Sequence, residues 1–348
     1  MDTGFTDKID QFVMEMPKVE LHLHLEGAIP IETLFNLIRR GGKEPSIKKI
    51  DDLRRKLTYT DFEQFMKVWI WKDTFIKEER IFEEIAYQVL SNLSKQNVKY
   101  VEASYAPDNY WRQGLSVRGI TDCLIKGKER AYHDFGIQSE LIVVLGRAYG
   151  PEIGMKCLEE VTPYLGKGVI GIDLGGNEQR FPADPYAFVY KEARERGFRL
   201  TAHAGETAGA DSIWTVVEKL GVERIGHGVR AYEDPRLVSL LKEREIPLEM
   251  CVTSNVRTGV CKSVEFHPIK QYFQEGLVVT VNSDDPTMFN TSITREYLVL
   301  ARKLKFTIGD LKRLIINSIG ASFMPDKKKK LIKSQFEEEW RQLLNKYY

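Results

Sequence analysis

Cysteine is scarce in this sequence: there are four cysteines in 348 residues, and none belongs to a C-x-x-C pair. This spacing argues against a thiolate zinc site and against a disulfide scaffold in a chain of this length. The low cysteine content favours a reducing compartment, and we expect a cytoplasmic protein.

The sequence also lacks a strong charge of either sign. Its formal net charge is +1 at pH 7, so no global field favours nucleic acid or an anionic membrane surface as a partner. Residues 1–17 contain acids and no continuous apolar run, unlike a signal peptide or a membrane anchor. We predict a short amphipathic helix there, with Ile9, Phe12, Val13 and Met16 on one face. We expect a small-molecule partner, and no feature indicates an oligomeric state.

Eight short β-rich runs recur along the chain, separated by longer stretches with helical spacing. They occupy residues 19–25, 98–106, 139–146, 169–176, 199–206, 224–228, 248–254 and 277–285. Most are apolar on both faces, as in a parallel sheet covered by helices. Eight βα units predict an α/β fold, a (β/α)8 TIM-type barrel forming a single domain over residues 1–348. A doubly wound open sheet is the alternative, but no G-x-G-x-x-G follows the first run.

Extra helices are predicted after the first strand and at the C-terminus. Residues 30–97 form an unusually long connection, in which residues 61–76 are rich in aromatic and aliphatic side chains. These residues predict either a helix packed on the barrel or an apolar lid over its mouth. Helices are also predicted over residues 307–323, capped by Thr307, and over 334–344, opened by a Ser334/Glu337 capping box. The lysine run 327–330 is interpreted as a solvated connector.

The first strand contains two histidines two residues apart. His22 and His24 project to the same side of a strand and can point at one spot near the barrel axis. Six histidines occur in the chain, and two more, His203 and His227, fall at the ends of predicted strands. His133 and His267 lie in helix or loop context and receive no role.

Carboxylates complete a predicted metal site. Asp284 and Asp285 lie where the eighth strand is predicted to end. At a barrel mouth lined by histidines, we expect one of them to bind the metal and the other to act as a hydrogen-bonding acid. Three imidazoles and one carboxylate suit zinc or another first-row divalent ion better than calcium. Such an ion lowers the pKa of a bound water from about 15.7 towards 7.

Three further residues at the strand ends are candidates for chemistry on a flat ligand. Glu206 lies three residues beyond His203 and is suited to donate a proton to a ring nitrogen or a leaving group. His227 stands between two glycines and is suited to orient the attacking water or to take its proton. Gly176 removes a side chain where the backbone would approach the ligand.

Five motifs together resemble the adenosine deaminase family. They are PKVELHLHLEGAI at 17–29, DLGGNE at 173–178, HAGE at 203–206, RIGHGVR at 224–230 and NSDDP at 282–286. The resemblance implies one Zn²⁺ per chain, with a 6-aminopurine nucleoside or base as the substrate. It further implies that His227 steers the attacking hydroxide onto C6. The implied zinc ligands are His22, His24, His203 and Asp284, and the implied purine contacts are Glu206 to N1, Asp285 to N7 and the Gly176 amide to N3.

One position departs from the common family pattern. Where adenosine-specific members usually have Asp to accept a hydrogen bond from the ribose 5′-hydroxyl, this chain has Glu26. A misfitted polar contact to a substrate hydroxyl can change discrimination by orders of magnitude. We expect adenosine or deoxyadenosine as the substrate, with free adenine and aminodeoxyfutalosine as alternatives.

Two other classes of function compete with deamination. Metal-dependent phosphoester or amide hydrolysis shares the H-x-H start, but it usually needs a second metal and a bridging ligand, which the DLGG step does not offer. A non-catalytic binding protein would not need a proton donor beside the metal ligands, yet Glu206, His227 and Asp285 are all present.

Overall fold

The computed structural model describes residues 8–42 and 44–348 of the chain. Its centre is one sheet of eight strands that pair in chain order, each parallel to the next. The strands are β1 Lys18–His24, β2 Val98–Tyr105, β3 Gln138–Gly146, β4 Val169–Gly175, β5 Arg199–Ala204, β6 Arg224–His227, β7 Leu248–Met250 and β8 Val279–Val281.

The residues just after β8 close the sheet onto β1. Leu23 forms a parallel bridge with Asp284, the His24 amide donates to the Asp284 carbonyl at 2.9 Å, and the Asp284 amide donates to the His22 carbonyl at 3.0 Å. The predicted (β/α)8 barrel is therefore confirmed, and the doubly wound sheet is excluded. This closure also brings His22 and His24 beside Asp284 and Asp285, although the two pairs are about 260 residues apart in sequence.

Helices surround the barrel and fill the long connection after β1. In the described part of the chain they are α1 Lys8–Glu15, α2 Ile31–Gly41, α3 Ile50–Lys56, α4 Phe62–Asp73, α5 Arg80–Ser94, α6 Val117–Phe135, α7 Pro151–Val161, α8 Ala187–Arg196, α9 Ala210–Thr215, α10 Pro235–Glu243, α11 Val252–Arg257, α12 Ile269–Glu275, α13 Pro286–Phe289, α14 Ile293–Arg302, α15 Ile308–Ala321 and α16 Asp326–Tyr347. The predicted N-terminal helix is confirmed as α1, although residues 1–7 lie outside the described residues. Its Phe12 packs edge-on against Trp340 of α16, with ring centroids 4.8 Å apart.

The seventh strand is shorter than predicted. The predicted seventh strand extends to residue 254, but β7 ends at Met250 and α11 begins at Val252. Val252 and Thr253 are β-branched, which favours a strand locally. A tertiary contact overrides this preference, because the Thr253 amide donates to the Glu296 carboxylate at 3.0 Å. The first turn of α11 then closes as the backbone amide of Asn255 donates to the Cys251 carbonyl at 3.0 Å.

The C-terminal helix begins earlier than predicted. The interpretation of residues 327–330 as a connector and the Ser334/Glu337 capping box are both wrong, because α16 is continuous from Asp326 to Tyr347. Lysine is a good helix former, and Pro325 stands immediately before the first helical residue, in extended backbone. Ser334 therefore lies on an exposed face in the interior of this helix.

The predicted cap of α15 is confirmed and gives a stability test. Thr307 Oγ1 accepts from the Asp310 amide at 3.2 Å, and the Asp310 side chain accepts from the Thr307 amide at 2.8 Å. Thr307→Ala is expected to lower the free energy of unfolding by about 1 kcal/mol, measured by urea denaturation. Ser334→Ala is the control and should stay within about 0.5 kcal/mol of the parent. Equal effects of the two changes would contradict the assignment of Thr307 as a cap.

Membrane insertion finds no support in the described residues. Across 8–42 and 44–348, no helix has both the length and the apolar content needed to cross a bilayer.

Candidate metal and active site

Three imidazoles and one carboxylate converge at the carboxyl end of the barrel. His24 Nε2 lies 3.2 Å from His203 Nε2, and Asp284 Oδ1 lies 3.5 Å from His24 Nε2 and 3.6 Å from His22 Nε2. The ligand atoms of His22, His24 and His203 lie within 4.8 Å of one another, and so do those of His22, His227 and Asp284. His22 Nε2 is buried and has no hydrogen-bond partner among the described residues, as expected of an atom that faces a cation. The nitrogen and oxygen donors fit a zinc-type divalent ion.

The far side of two imidazoles is held by acids that the sequence analysis did not assign. His22 Nδ1 lies 2.8 Å from Glu249 Oε2, and His203 Nδ1 lies 2.9 Å from Asp173 Oδ2. A carboxylate on Nδ1 keeps the proton there and directs the Nε2 lone pair towards the metal position. Asp173 lies in the DLGGNE motif, which the sequence analysis quoted. Glu249 had a weaker signal, a single acid between two apolar residues in the Leu248–Met250 strand.

A buried arginine connects this site with the opposite end of the barrel. Arg224, at the start of β6, forms ion pairs with Glu249 Oε1 at 2.6 Å and with Glu102 Oε2 at 2.5 Å. All three side chains are at most 1% exposed. Burial raises the pKa of Glu249, but Arg224 and His22 outweigh it and hold that pKa below its usual value. Glu249 is therefore ionised where it meets His22.

Two site residues have strained backbone. His227 has φ 64° and Asp284 has φ 61°, in the left-handed region that residues other than glycine seldom adopt. Such conformations cost about 1–3 kcal/mol each and persist where the surroundings impose them. Both residues end or follow a strand, so the turn re-aims each side chain into the barrel mouth.

Glu206 lies beside this cluster and is held by its loop. The Glu178 carboxylate accepts from the amides of Gly205 at 2.8 Å, Glu206 at 2.9 Å and Thr207 at 3.0 Å. Glu206 Oε2 lies 3.8 Å from His227 Nε2. Burial, with the nearby charges of Asp284 and Glu178, raises the pKa of Glu206 well above its usual range. These surroundings favour the protonated form of the carboxyl.

Asp284 and Asp285 are adjacent but differ in charge. Burial raises the pKa of Asp284, but the imidazoles of His22, His227 and His24 outweigh it and hold the pKa well below its usual value. Burial and the charge of Asp284 raise the pKa of Asp285 well above its usual value. Asp285 packs against Gly27, where a Cβ atom would lie 1.7 Å from Asp285 Oδ1. Only glycine fits at that position.

Gly176 follows β4 beside the cluster. Its φ of 108° favours glycine, and a Cβ on the preceding Gly175 would lie 4.0 Å from His203 Cε1. The backbone at the end of β4 thus runs next to the imidazoles without a side chain between them.

Glu26, two residues after His24, is fully buried. Its Oε1 accepts from the Ala106 amide at 2.9 Å, whereas Oε2 has no hydrogen-bond partner in the part of the chain that the structure describes. Burial and the charge of Asp73 raise the pKa of Glu26 to about 7, against the Ala106 amide and the Lys72 ammonium, which lower it. Lys72 is also fully buried, donates to Asp73 Oδ1 at 2.5 Å, and lies 4.3 Å above the Trp69 ring. Lys72 and Asp73 were not among the site residues predicted from the sequence.

Helix α4 reaches the imidazoles. The Trp69 ring lies edge-on to His24 with centroids 5.9 Å apart, and Phe65 contacts Trp69 at the same centroid distance. Both side chains are buried, whereas Ile70 is 61% exposed. One face of the helix therefore covers the site and the other faces solvent.

The remaining two histidines have different environments. His133 is exposed on α6. His267 is buried, and its Nε2 lies 3.1 Å from Asn255 Oδ1. Asn255 in turn contacts His227. Neither Asn255 nor His267 was predicted to bear on the site.

Comparison with known proteins agrees with this geometry. The family model described as adenosine deaminase matches residues 17–339. An adenosine deaminase of Clostridium kluyveri is 32% identical over 90% of this chain and 92% of its own length. An adenine deaminase of Chlorobium phaeobacteroides is 35% identical, over 92% and 96%. An amidohydrolase from Burkhoderia ambifaria, solved with bound Zn, superimposes with a TM-score of 0.91 at 26% identity, covering 99% of this chain and 96% of that one.

Proposed function

Since the chain belongs to the adenosine deaminase family and is a hydrolase of C–N bonds in cyclic amidines, we propose that it converts adenosine to inosine. Water adds to C6 of the purine, the bond from C6 to the exocyclic nitrogen breaks, and the nitrogen leaves as ammonia. The product is a 6-oxopurine.

One observation carries this proposal: two buried carboxyl groups, Glu206 and Asp285, lie beside a convergent set of metal donors, and burial favours their protonated forms. The purine nitrogens N1 and N7 are acceptors, so each needs a donor. Protonated Glu206 supplies one to N1, and protonated Asp285 supplies one to N7. The Gly176 amide faces N3. Transfer of the Glu206 proton to N1 withdraws electrons from C6 while water adds there.

His22, His24, His203 and Asp284 would hold the metal, and the family is metal-dependent. We assign one Zn²⁺ per chain, because the four donors are nitrogen and oxygen atoms and a related structure was solved with bound Zn. When bound, zinc supplies a Lewis acid that makes water nucleophilic at neutral pH.

Residues 30–97 act as a helical lid within a single domain of residues 1–348. Trp69 and Phe65 cover the imidazoles and exclude bulk water from the reacting centre. Exclusion of water strengthens the hydrogen bonds that Glu206 and Asp285 make to the ring. The ligand taken by this pocket is a purine nucleoside or base.

The choice of adenosine rests on the edge of the pocket formed by Glu26 and Lys72. In this proposal the ribose on N9 lies on the α4 side of the site, where the unpaired Oε2 of Glu26 would accept from a ribose hydroxyl. Lys72 of α4 lowers the pKa of both Glu26 and Asp285. Free adenine would leave the buried Glu26 Oε2 without a partner, at a cost of about 1–3 kcal/mol. The 35% identical adenine deaminase makes adenine the second candidate, and aminodeoxyfutalosine shares the hydroxylated sugar.

A substrate panel tests this assignment. Ammonia release from adenosine, 2′-deoxyadenosine, adenine, 5′-methylthioadenosine and aminodeoxyfutalosine should give the highest kcat/KM for adenosine. Glu26→Gln should lower kcat/KM for adenosine by about 10-fold or more but leave that for adenine nearly unchanged. Glu159→Gln, an exposed change on α7, is the control. A higher kcat/KM for adenine would move the assignment to the free base, and no ammonia from any of the five would contradict the proposed reaction.

A further inference from the structure

His267 has a proton position that its surroundings fix. The Ile269 amide donates to His267 Nδ1 at 3.2 Å, so Nδ1 is an acceptor and carries no hydrogen. Burial lowers the pKa of His267 to about 3, so the ring is neutral at pH 7. A neutral imidazole carries one hydrogen, which must therefore lie on Nε2.

This proton fixes the orientation of the Asn255 amide. His267 Nε2 donates to its neighbour on Asn255, 3.1 Å away, and that neighbour must be the carbonyl oxygen Oδ1. The amide nitrogen Nδ2 then points the other way, towards His227 Nδ1 at 3.1 Å. Asn255 is fully buried, so water does not offer its side chain an alternative set of partners.

The amide of Asn255 in turn fixes the tautomer of His227. Asn255 Nδ2 can only donate, so His227 Nδ1 accepts and the single hydrogen of the neutral ring lies on Nε2. Nε2 lies 3.8 Å from Glu206 Oε2 and 3.9 Å from Asp284 Oδ2. An N–H at Nε2 would be attracted to the Asp284 carboxylate, which is compatible with the tautomer that Asn255 requires.

We propose that Asn255 and His267 are positioning residues that hold His227 as its Nε2–H tautomer, so that His227 donates a hydrogen bond to the oxygen that adds to C6. The catalytic part of this inference rests on the proposed deamination; the tautomer itself does not. His227 then orients and stabilises the attacking oxygen and does not remove its proton. Ile269 donates to His267, His267 donates to Asn255, and Asn255 donates to His227. These hydrogen bonds connect α12, α11 and β6, and all of them run in the same direction.

The tautomer is measurable directly. With ¹⁵N-labelled histidine in the zinc-loaded protein, six imidazoles give resolved long-range ¹H–¹⁵N correlations, assigned by single His→Gln variants. We expect both His227 and His267 in the Nε2–H form. Detection of His227 with its hydrogen on Nδ1 would overturn the proposal, whether or not the protein deaminates purines.

The variant Asn255→Asp reverses the relay. A carboxylate accepts from His227 Nδ1, which forces the hydrogen from Nε2 to Nδ1 and removes the donor from the reaction centre. We expect the tautomer signal to switch and kcat to fall by about 10²- to 10³-fold, the usual effect of losing one donor to a developing oxyanion. Asn92→Asp, an exposed change on α5, should alter neither signal nor rate.

His267→Gln tests the distal member of the relay. We expect a mixture of His227 tautomers and a loss of kcat of about 10-fold, with KM nearly unchanged, because the purine contacts remain. His133→Gln, at the exposed histidine of α6, is the matched control. Full activity of both Asn255→Asp and His267→Gln, with His227 unchanged, would overturn the proposal. Absence of deaminase activity in the parent protein would instead refute the proposed function and leave the tautomer to be judged by NMR alone.

Discussion

Replacing Glu206 with glutamine is expected to lower kcat by about 10²- to 10⁴-fold while zinc content and purine binding stay close to those of the parent. Glutamine keeps the size of the side chain and can still form a hydrogen bond to N1, but it cannot transfer a proton. The effect should be large because burial, with the charges of Asp284 and Glu178, raises the pKa of Glu206 and favours the proton that the reaction needs. Steady-state kinetics on adenosine, together with zinc analysis and purine binding by calorimetry, separate the chemical step from binding.

The control for this variant is Glu218→Gln, an exposed change in the same connection after β5. It should keep full activity. If Glu206→Gln retained the parent kcat, the proton donor would have to be another group and the assigned role of Glu206 would be wrong. A loss of zinc together with activity would instead indicate a structural role for Glu206 in the site.

Replacing Asp284 with asparagine should lower kcat/KM by at least about 10³-fold for two separate reasons. The change removes the only carboxylate from the four proposed metal ligands, and an electrophilic metal contributes several kcal/mol to transition-state stabilisation. It also removes the negative charge that, together with burial, raises the pKa of Asp285, so the protonated form of Asp285 that donates to N7 becomes less favoured. Asparagine tolerates the left-handed backbone at this position, which limits damage to the fold.

Zinc affinity measured by competition with a chelator checks this second expectation, and Asp51→Asn on exposed α3 serves as its control. We expect weaker zinc binding together with the loss of activity. If Asp284→Asn bound zinc as tightly as the parent and turned over adenosine at the same rate, Asp284 would not be a ligand.

The features of the site that follow a short-range rule were visible in the sequence. His22 and His24 have the two-residue spacing that places side chains on one face of a strand. The order of acidic and imidazole groups after successive strands predicted their meeting at the carboxyl end of a barrel. Closure of the barrel through the Leu23–Asp284 bridge then gave the arrangement of the four proposed ligands.

The supporting residues follow no such rule. Glu249, Asn255 and His267 act on His22 and His227 only through packing of β7, α11 and α12 around the barrel. An acid between apolar neighbours, or a histidine in a connection, is common in sequences without such a role. Lys72 was missed for a related reason. It lies in a largely apolar helix, and the sequence does not show that its ammonium group is buried in an ion pair with Asp73.

The errors in secondary structure arose where local preference and tertiary contacts disagree. The β-branched Val252 and Thr253 favour a strand, but the Glu296 carboxylate accepts from the Thr253 amide and the chain turns into α11. Four consecutive lysines suggested a solvated connector. Lysine is nevertheless a good helix former, and Pro325 stands immediately before the first residue of α16.

The most direct test of the central claim is a zinc titration of metal-stripped protein, with deaminase activity followed against zinc added per chain. The four converging donors predict no activity without metal and a linear rise that ends at about one zinc per chain. Undiminished activity in the stripped protein would contradict the account. An endpoint at two metals per chain would also contradict it, and would favour the phosphoester or amide hydrolases that share the H-x-H strand.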